Sequence, residues 1–490
     1  MKFIVKLPFE ITLKSRPVRQ RVIKILESNI KKILRGLDEQ INICLNSNRD
    51  CIEIDTENES SENRLLLITA LQCIPGIAHF VEGKYSVLVD IHDIFEKTLA
   101  VYAKIIENKT FCVEAKKIGN HDFNSSHIEQ YVARGLNQSV ESAKVTLTKP
   151  DITIHLTIND KDLFIVTDQY KGLSGLPIGT QEDVLSLVSG GSDSGVASYQ
   201  MIEKGYRTHY CFFNLGDPAQ EVFVKQCCYY LWNKYGSSHK VKFFSVDFKP
   251  VIIELIGNVE HVQMSSVLKR MMIRVAEKIA VKSHIKALIT GEDIGQVSSQ
   301  TLSDFNLVER VTDIRVLRPL IACDKKNITD IAREVGIQDF TKTVNKYGRI
   351  ISKNTTIKGV MTKIENEEGI FNFDILDKVV SEAKVYDVGN IGQATDTEIT
   401  AVNTVEKVVE GTIIIDIRSP EESDRNPLKI DGIKIKKLPF YKLATQFSKL
   451  DHSKEYFLYC DQGVMSKLQA LLLIDNGFKN VKVYRPINER

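Results

Sequence analysis

The apolar run Val184-Leu185-Ser186-Leu187-Val188 ends on the turn Ser189-Gly190-Gly191-Ser192-Asp193-Ser194, and a helix-like stretch from Gly195 to Ile202 follows at once. A buried strand, a turn of small residues and a helix start bring free backbone N–H groups and a positive helix end to one point, where a phosphate can settle. Gly190 and Gly191 admit the anion without a Cβ in the way, while the hydroxyls of Ser189, Ser192 and Ser194 can donate to its oxygens. The Gly-Lys-Ser/Thr ending of a Walker loop is absent. The alternative is a turn that only joins a strand to a helix.

The same pattern continues downstream. Strands read at Val184 to Val188, Thr208 to Phe213, Val241 to Val246 and Ala287 to Thr290, with helices between them. Largely apolar strands alternating with helices make a parallel sheet covered on both faces. Ligands of such sheets gather beyond the strand carboxyl ends. That rule collects the Ser-Gly-Gly turn, the segment after Phe213 and the loop Gly291 to Gln300. The turn resembles the Ser-Gly-Gly-x-Asp-Ser loop of the PP-loop ATP pyrophosphatases, which split ATP into AMP and pyrophosphate while adenylating a substrate oxygen.

Ahead of this core, residues 1 to about 168 mix short strands with helices in an α+β arrangement, best read as two small subdomains. Strands are expected at Cys51 to Ile54, Ile77 to Val81, Tyr85 to Val89 and Ile152 to Ile158, and helices at Leu65 to Gln72 and Ile91 to Ile105. Residues 1–40 carry ten Lys or Arg against four Asp or Glu, an excess of six positive charges in a chain whose net charge is only +2. Lys14, Arg16, Arg19, Arg21, Lys24, Lys31, Lys32 and Arg35 lie in or before a helix marked by Val22, Ile23, Leu26, Ile30 and Ile33. Such a face could track a phosphate backbone or could be plain solvated surface. The strand Thr110 to Val113 with Lys116-Lys117, the helix from Ser125 and the segment Lys144 to Leu147 resemble a THUMP domain, a module of tRNA-modifying enzymes. Lys116, Lys117, Arg134 and Lys144 are candidate contacts to RNA phosphates.

Glu382 to Gly411 reads as a tether, and the last eighty or so residues alternate again, with strands at Ile413 to Ile415, Tyr456 to Tyr459 and Val481 to Tyr484. Cys460 stands directly after a strand, and Asp461 to Met465 lead into a helix opening at Ser466. A ring of N–H groups and a helix N-terminus favour thiolate over thiol, so Cys460 is a candidate nucleophile. A phosphatase loop needs an arginine six positions on, where this chain has Ser466, so sulfur transfer is preferred. With Asp416-Ile417-Arg418, the segment Cys460 to Ser466 resembles a single rhodanese domain, in which the cysteine carries a persulfide.

This order of modules resembles the tRNA 4-thiouridine synthetase family, which also serves thiamin thiazole synthesis. The resemblance is carried by Gly179 to Leu187, His209 to Gly216, Leu268 to Met272, Gly295 to Thr301 and Leu317 to Ile321. It implies a ferredoxin-like domain at 1–60, a THUMP domain at 61–168, a parallel-sheet PP-loop ATP pyrophosphatase domain at 175–385, a linker at 386–404 and a rhodanese α/β domain at 405–490. It also implies ATP contacts from Leu187, Val188, Lys269, Gly291 and Gln300 beside the Ser189–Ser194 turn, and a persulfide on Cys460. Asp193 is the candidate catalytic carboxylate and magnesium ligand, since a carboxylate beside pyrophosphate would otherwise repel it. Without the family, Lys269 and Arg270 read as a solvated helix face and Gln300 as a loop residue.

The resemblance further implies adenylation of the C4 oxygen of a tRNA uridine, sulfur attack, a pyridoxal-phosphate cysteine desulfurase as donor and a thiazole-pathway sulfur carrier as a second acceptor. One position departs from it. Gly348, in Asn345 to Lys353, stands where family members with a fused rhodanese domain usually have a second cysteine. Cys323, Cys211 or an external reductant would then have to resolve the persulfide. The alternative is a chain acting mainly as a rhodanese sulfur carrier for thiazole synthesis, with tRNA thiolation weakened; an RNA-binding regulator with a decayed ATP site is disfavoured by the intact turn.

Nine cysteines without a Cys-x-x-Cys pair fit reduced thiols in the cytoplasm and indicate neither zinc nor a disulfide scaffold. The opening segment lacks a signal peptide's apolar core and no run reaches membrane-spanning length, so neither secretion nor membrane insertion is expected.

Overall fold

The protein is described from a computed structural model, for residues 1–46, 51–119, 121–215, 218–259, 264–294, 301–338, 361–391, 403–409, 411–418, 423–424, 426–440, 443, 446–460, 466, 469–470, 473–474 and 477–486. The chain divides into two compact units, Met1–Pro177 and Ile178–Arg490.

The first unit runs β1 (Lys2–Lys6), α1 (Phe9–Thr12), α2 (Arg16–Leu34), β2 (Asn42–Asn46), β3 (Cys51–Asp55), α3 (Ser61–Gln72), β4 (Ile77–Val87), α4 (Ile91–Tyr102), β5 (Thr110–Ile118), α5 (Ser125–Ser139), β6 (Lys144–Val145), β7 (Ile152–Asn159) and β8 (Asp162–Ser174). All eight strands form one sheet in the order β2-β3-β1-β4-β8-β7-β5-β6. The expected pair of strands at Ile77–Val81 and Tyr85–Val89 is a single strand, because β4 absorbs a register shift at Glu82/Gly83 and stays paired with β8 as far as Val87 opposite Asp162. Two apolar cores line one face of the sheet, and a smaller cluster of Ile4, Cys51, Val81, Phe164 and Val166 lies on the other. Of the two cores, one joins Phe3, Leu26, Ile30, Leu71 and Phe80, and the other Phe111, Ile128, Val132, Ile154 and Leu163. The divide expected at residue 60 falls in front of α3, whose Leu67, Ile68 and Leu71 pack into the first core.

Helix starts follow local chemistry. Pro17 opens α2, where a missing N–H costs nothing, and Val22, Ile23, Leu26, Ile30 and Leu34 are its buried stripe. Ser60 and Asn124 accept from the backbone N–H groups of Asn63 and His127 at the heads of α3 and α5.

The second unit begins with β9 (Val184–Leu187), α6 (Ser192–Glu203), β10 (Thr208–Asn214), α7 (Pro218–Leu231), a π-helical turn at Trp232–Gly236, β11 (Lys242–Asp247), α8 (Lys249–Asn258), α9 (Met264–Lys282), β12 (Ala287–Ile289), α10 (Leu302–Glu309), β13 (Arg315–Leu317), α11 (Lys325–Val335), α12 (Met361–Glu368), α13 (Asp374–Ser381) and β14 (Lys384–Asp387). These strands form one sheet in the order β13-β12-β9-β10-β11-β14, parallel throughout except for β14. The tether reading is corrected at its start. Lys384–Asp387 pairs antiparallel with β11, and Val388 and Ile391 behind it are buried in the same core. The expected linker at 386–404 therefore opens with sheet residues, and 392–402 lie outside the described residues.

The rest of the chain contributes β15 (Thr404–Val405), β16 (Ile413–Asp416), β17 (Lys434–Lys437), β18 (Tyr456–Tyr459) and β19 (Val481–Tyr484) in an all-parallel sheet ordered β15-β19-β18-β16-β17. The protein thus combines an α+β unit on a mixed eight-stranded sheet with two α/β parts built on a six-stranded, mainly parallel sheet and a five-stranded parallel one. Among the described residues no helix is long and apolar enough to cross a membrane.

Candidate functional site

Strand β9 is central in its sheet, and at its carboxyl end Val188 donates its N–H to Cys211 O of β10 at 2.9 Å. The chain then turns through Gly190, whose φ of +82° is open to glycine at little cost, and enters α6 at Gly191. The cap residue has no side chain, so no cap oxygen covers the first N–H groups of α6. The serines brace the turn from within. Ser194 Oγ donates to Gly191 O at 3.1 Å and accepts from Ser189 N at 3.3 Å, Ser189 Oγ accepts from Gly191 N at 3.4 Å, and Ser192 Oγ donates to Asp193 Oδ1 at 3.0 Å. Beneath them Ser198 ties α6 to Ser186 of β9 at 2.7 Å. Gln220 in the first turn of α7 donates to Ser189 O at 3.1 Å.

The neighbouring strand supplies the opposite wall. A Cβ on Gly291, just beyond β12, would lie 2.5 Å from Ser194 N and 2.6 Å from the Asp193 carbonyl carbon, so only a glycine lets this loop seat against the head of α6. Next to it, Glu292 accepts from Lys269 Nζ of α9 at 3.1 Å, from Arg318 Nε at 3.1 Å and from Thr290 Oγ1 at 3.2 Å. Burial pushes the Glu292 carboxyl up, and the charges and hydrogen bonds of Lys269 and Arg318 outweigh it, holding the group ionised below its usual range. Lys325, the first residue of α11, grips Asp193 with Nζ 2.6 and 2.8 Å from its two carboxylate oxygens.

Leu187, Val188, Ser189, Gly190, Gly191, Ser192, Asp193, Ser194 and Gly291 thus meet at one end of one sheet, with Lys269 fastened to that end through Glu292. Gln300 lies outside the described residues. Arg270 departs from the solvated-face reading. It is 3% exposed, forks onto Glu368 at 2.5 and 2.8 Å and donates to Leu307 O, because it faces α10 and α12. Glu292, Arg318 and Lys325 were not singled out as site residues in the sequence. The signals were present in the loop Gly291 to Gln300 and in Leu317 to Ile321, and only the fold brings the two together.

A second centre lies at the carboxyl end of β18. Cys460 is 8% exposed, its sulfur accepts the backbone N–H of Ser466 at 3.3 Å, and Ser466 Oγ is 3.4 Å away. The sulfur is thus held on a backbone N–H donor, the kind of contact a charged sulfur would use. Asp416 closes β16, the adjacent strand, and takes a bidentate fork from Arg418 at 2.9 and 2.7 Å, with the guanidinium 5.0 Å from the Tyr459 ring centroid. Residues 461–465 lie outside the described residues, as does Gly348. Of the thiols that could replace a cysteine at 348, Cys211 is fully buried in the middle of β10 and burial raises its thiol far above the ordinary range, which makes it a poor nucleophile there. Cys323 is half-buried, in the turn before α11.

On the first unit, Lys116, Arg134 and Lys144 are exposed, while Lys117 donates to Phe123 O at 3.2 Å. Lys116 and Lys117 lie inside β5, which runs on to Ile118. Arg16, Arg21, Lys24, Lys32 and Arg35 are exposed on and just beyond α2, whereas Lys31 pairs with Glu27 at 2.7 Å.

Comparison with known proteins covers the chain module by module. The profile of the thiamine biosynthesis protein ThiI matches residues 179–373, the ThiI ferredoxin-like domain 2–81, the THUMP domain 89–168 and the rhodanese-like domain 402–485. A tRNA sulfurtransferase of Colwellia psychrerythraea is 63% identical over 486 residues, covering 99% of this chain and 100% of the relative. Another, from Proteus mirabilis, is 51% identical over 485 residues with the same coverage. A 4-thiouridine synthetase solved as an RNA complex with bound ATP shares the fold at a TM-score of 0.70 and 24% identity, covering 79% of this chain and 98% of that one.

Proposed function

Since the chain belongs to the tRNA sulfurtransferase family, we propose that it thiolates a tRNA uridine at C4, using ATP to activate the oxygen and a persulfide on Cys460 to supply the sulfur. The observation that carries this is the Ser189–Ser194 turn, an uncapped helix start walled by Gly291 and flanked by Lys269, in a chain that also sets Cys460 on a helix N–H. The turn suits a triphosphate because an uncapped helix start offers backbone N–H groups and Gly190 and Gly191 put no Cβ in front of them. Magnesium fits one carboxylate plus phosphate oxygens, which Asp193 and the nucleotide would provide, with Lys325 holding the carboxylate in place.

In the proposed sequence the uridine O4 attacks the α-phosphorus and pyrophosphate leaves. The terminal sulfur of the Cys460 persulfide adds at C4, and AMP departs with the original oxygen. Cleavage of the remaining S–S bond by a thiol, either Cys323 or an external one, leaves 4-thiouridine and a disulfide, which a reductant returns to free thiols. A cysteine desulfurase would load Cys460. Gly348 favours a second reading, in which the chain mainly carries sulfur toward thiazole synthesis. Both readings meet in one assay: bulk tRNA, ATP, a cysteine desulfurase and cysteine, with 4-thiouridine quantified. The wild type should thiolate and Cys460→Ser should not; a wild type that loads sulfur without thiolating tRNA leaves only the carrier reading.

A further inference from the structure

Arg318 has three nitrogens and two visible duties. Its Nε donates to Glu292, and its Nη1 to Glu309. The side chain is 6% exposed, and the guanidinium lies on the Phe305 ring at 4.3 Å from the centroid, which fixes its plane. Its third nitrogen, Nη2, is buried and has no acceptor among the described residues. A buried N–H of a permanent cation left unmatched is costly, so its persistence marks a place where an acceptor is due. Arg318 follows β13 directly, and Leu317 O accepts the N–H of Thr290, so it stands one strand from Gly291 and the head of α6. Glu292 joins it to Lys269, so two cations are held at fixed points by one shared carboxylate.

We infer that Arg318 Nη2 is the donor for a phosphate oxygen of the nucleotide bound at the Ser189–Ser194 turn. The inference rests on the nucleotide reading of that turn. Glu292 and Glu309 orient the fork and offset its charge, and Phe305 stops it from swinging, so the free donor is presented already ordered. A lysine keeps the charge near Glu292 but lacks the planar fork, and so cannot hold two carboxylates and a phosphate together.

The test is calorimetric titration of ATP and of adenosine, in magnesium buffer, into the wild type, Arg318→Lys and Glu309→Gln, each checked by thermal melting. For Arg318→Lys the ATP Kd should rise roughly tenfold or more, while adenosine stays within about twofold. Glu309→Gln keeps a neutral acceptor for Nη1, so the fork stays oriented and ATP should bind within about twofold of the wild type, whereas a purely structural ion pair would lose affinity in both variants. ATP binding unchanged in Arg318→Lys, an equal loss for ATP and adenosine, or a defect confined to the KM for tRNA overturns the assignment. A wild type that fails to bind ATP overturns the nucleotide reading itself, so the two failures are told apart.

Discussion

At Gly291 a single methyl group would meet the peptide that joins Asp193 to Ser194, 2.5 Å from Ser194 N and 2.8 Å from Asp193 O. Neither neighbour is a flexible side-chain end, so Gly291→Ala must displace the loop or the head of α6, at a cost of roughly 1–3 kcal/mol. ATP affinity should fall at least tenfold while the variant stays folded, as titration beside a circular dichroism melt would show; ATP binding at wild-type strength would place the nucleotide elsewhere. The glycine turn after β9 was legible in the sequence as a place for an anion, and the positive φ of Gly190 adds a backbone reason for one of its glycines. The role of Gly291 was legible only through the family resemblance, since the atoms that exclude a Cβ come from residues almost a hundred positions earlier. Asp193 shows the same limit: its place in the turn is local, but its partner Lys325 lies 132 residues away.

Among elements, α12 is fastened to α9 by charge. Glu368 accepts both ends of the Arg270 fork and a further contact from Arg274 Nη2 at 3.3 Å, with Arg270 and Glu368 buried. Glu368→Ala would strand a cation in an apolar layer, and urea unfolding should register a loss of about 3–5 kcal/mol. Replacing both partners by apolar residues, Arg270→Met with Glu368→Leu, should recover most of it; a double variant as weak as the single would mean the helix is held by something else. The apolar strands β9 to β12 and the striped helix α2 could be read from periodicity. β13 and β14 could not. They have three and four residues, and Lys384-Val385-Tyr386-Asp387 has the polar composition that an edge strand tolerates and a tether shares.

For the molecule as a whole, the first unit is complete in itself: its eight strands pair only with one another and its apolar clusters close within Met1–Pro177. Residues 1–177 produced alone should therefore melt cooperatively, and the fragment should keep the exposed basic residues of α2. A non-cooperative melt would show that the unit borrows stability from the rest of the chain. The basic excess of residues 1–40 was plain from the sequence, but its division into exposed and paired residues was not. Lys31 is taken by Glu27 one turn away, while Lys2 is taken by Glu53 of the neighbouring strand.

The sequence alone determined the modules, their order and the two chemical turns, because a glycine-rich turn between strand and helix and a cysteine at a strand end are local patterns a few residues long. Tertiary structure decided which distant groups complete them. Lys325 comes to the first turn from α11, Arg318 reaches Glu292 from the end of β13, and the pairing of β16 with β18 puts Asp416 and Arg418 beside Cys460. Sheet order is set by burial summed over whole strands, and no local window contains that sum.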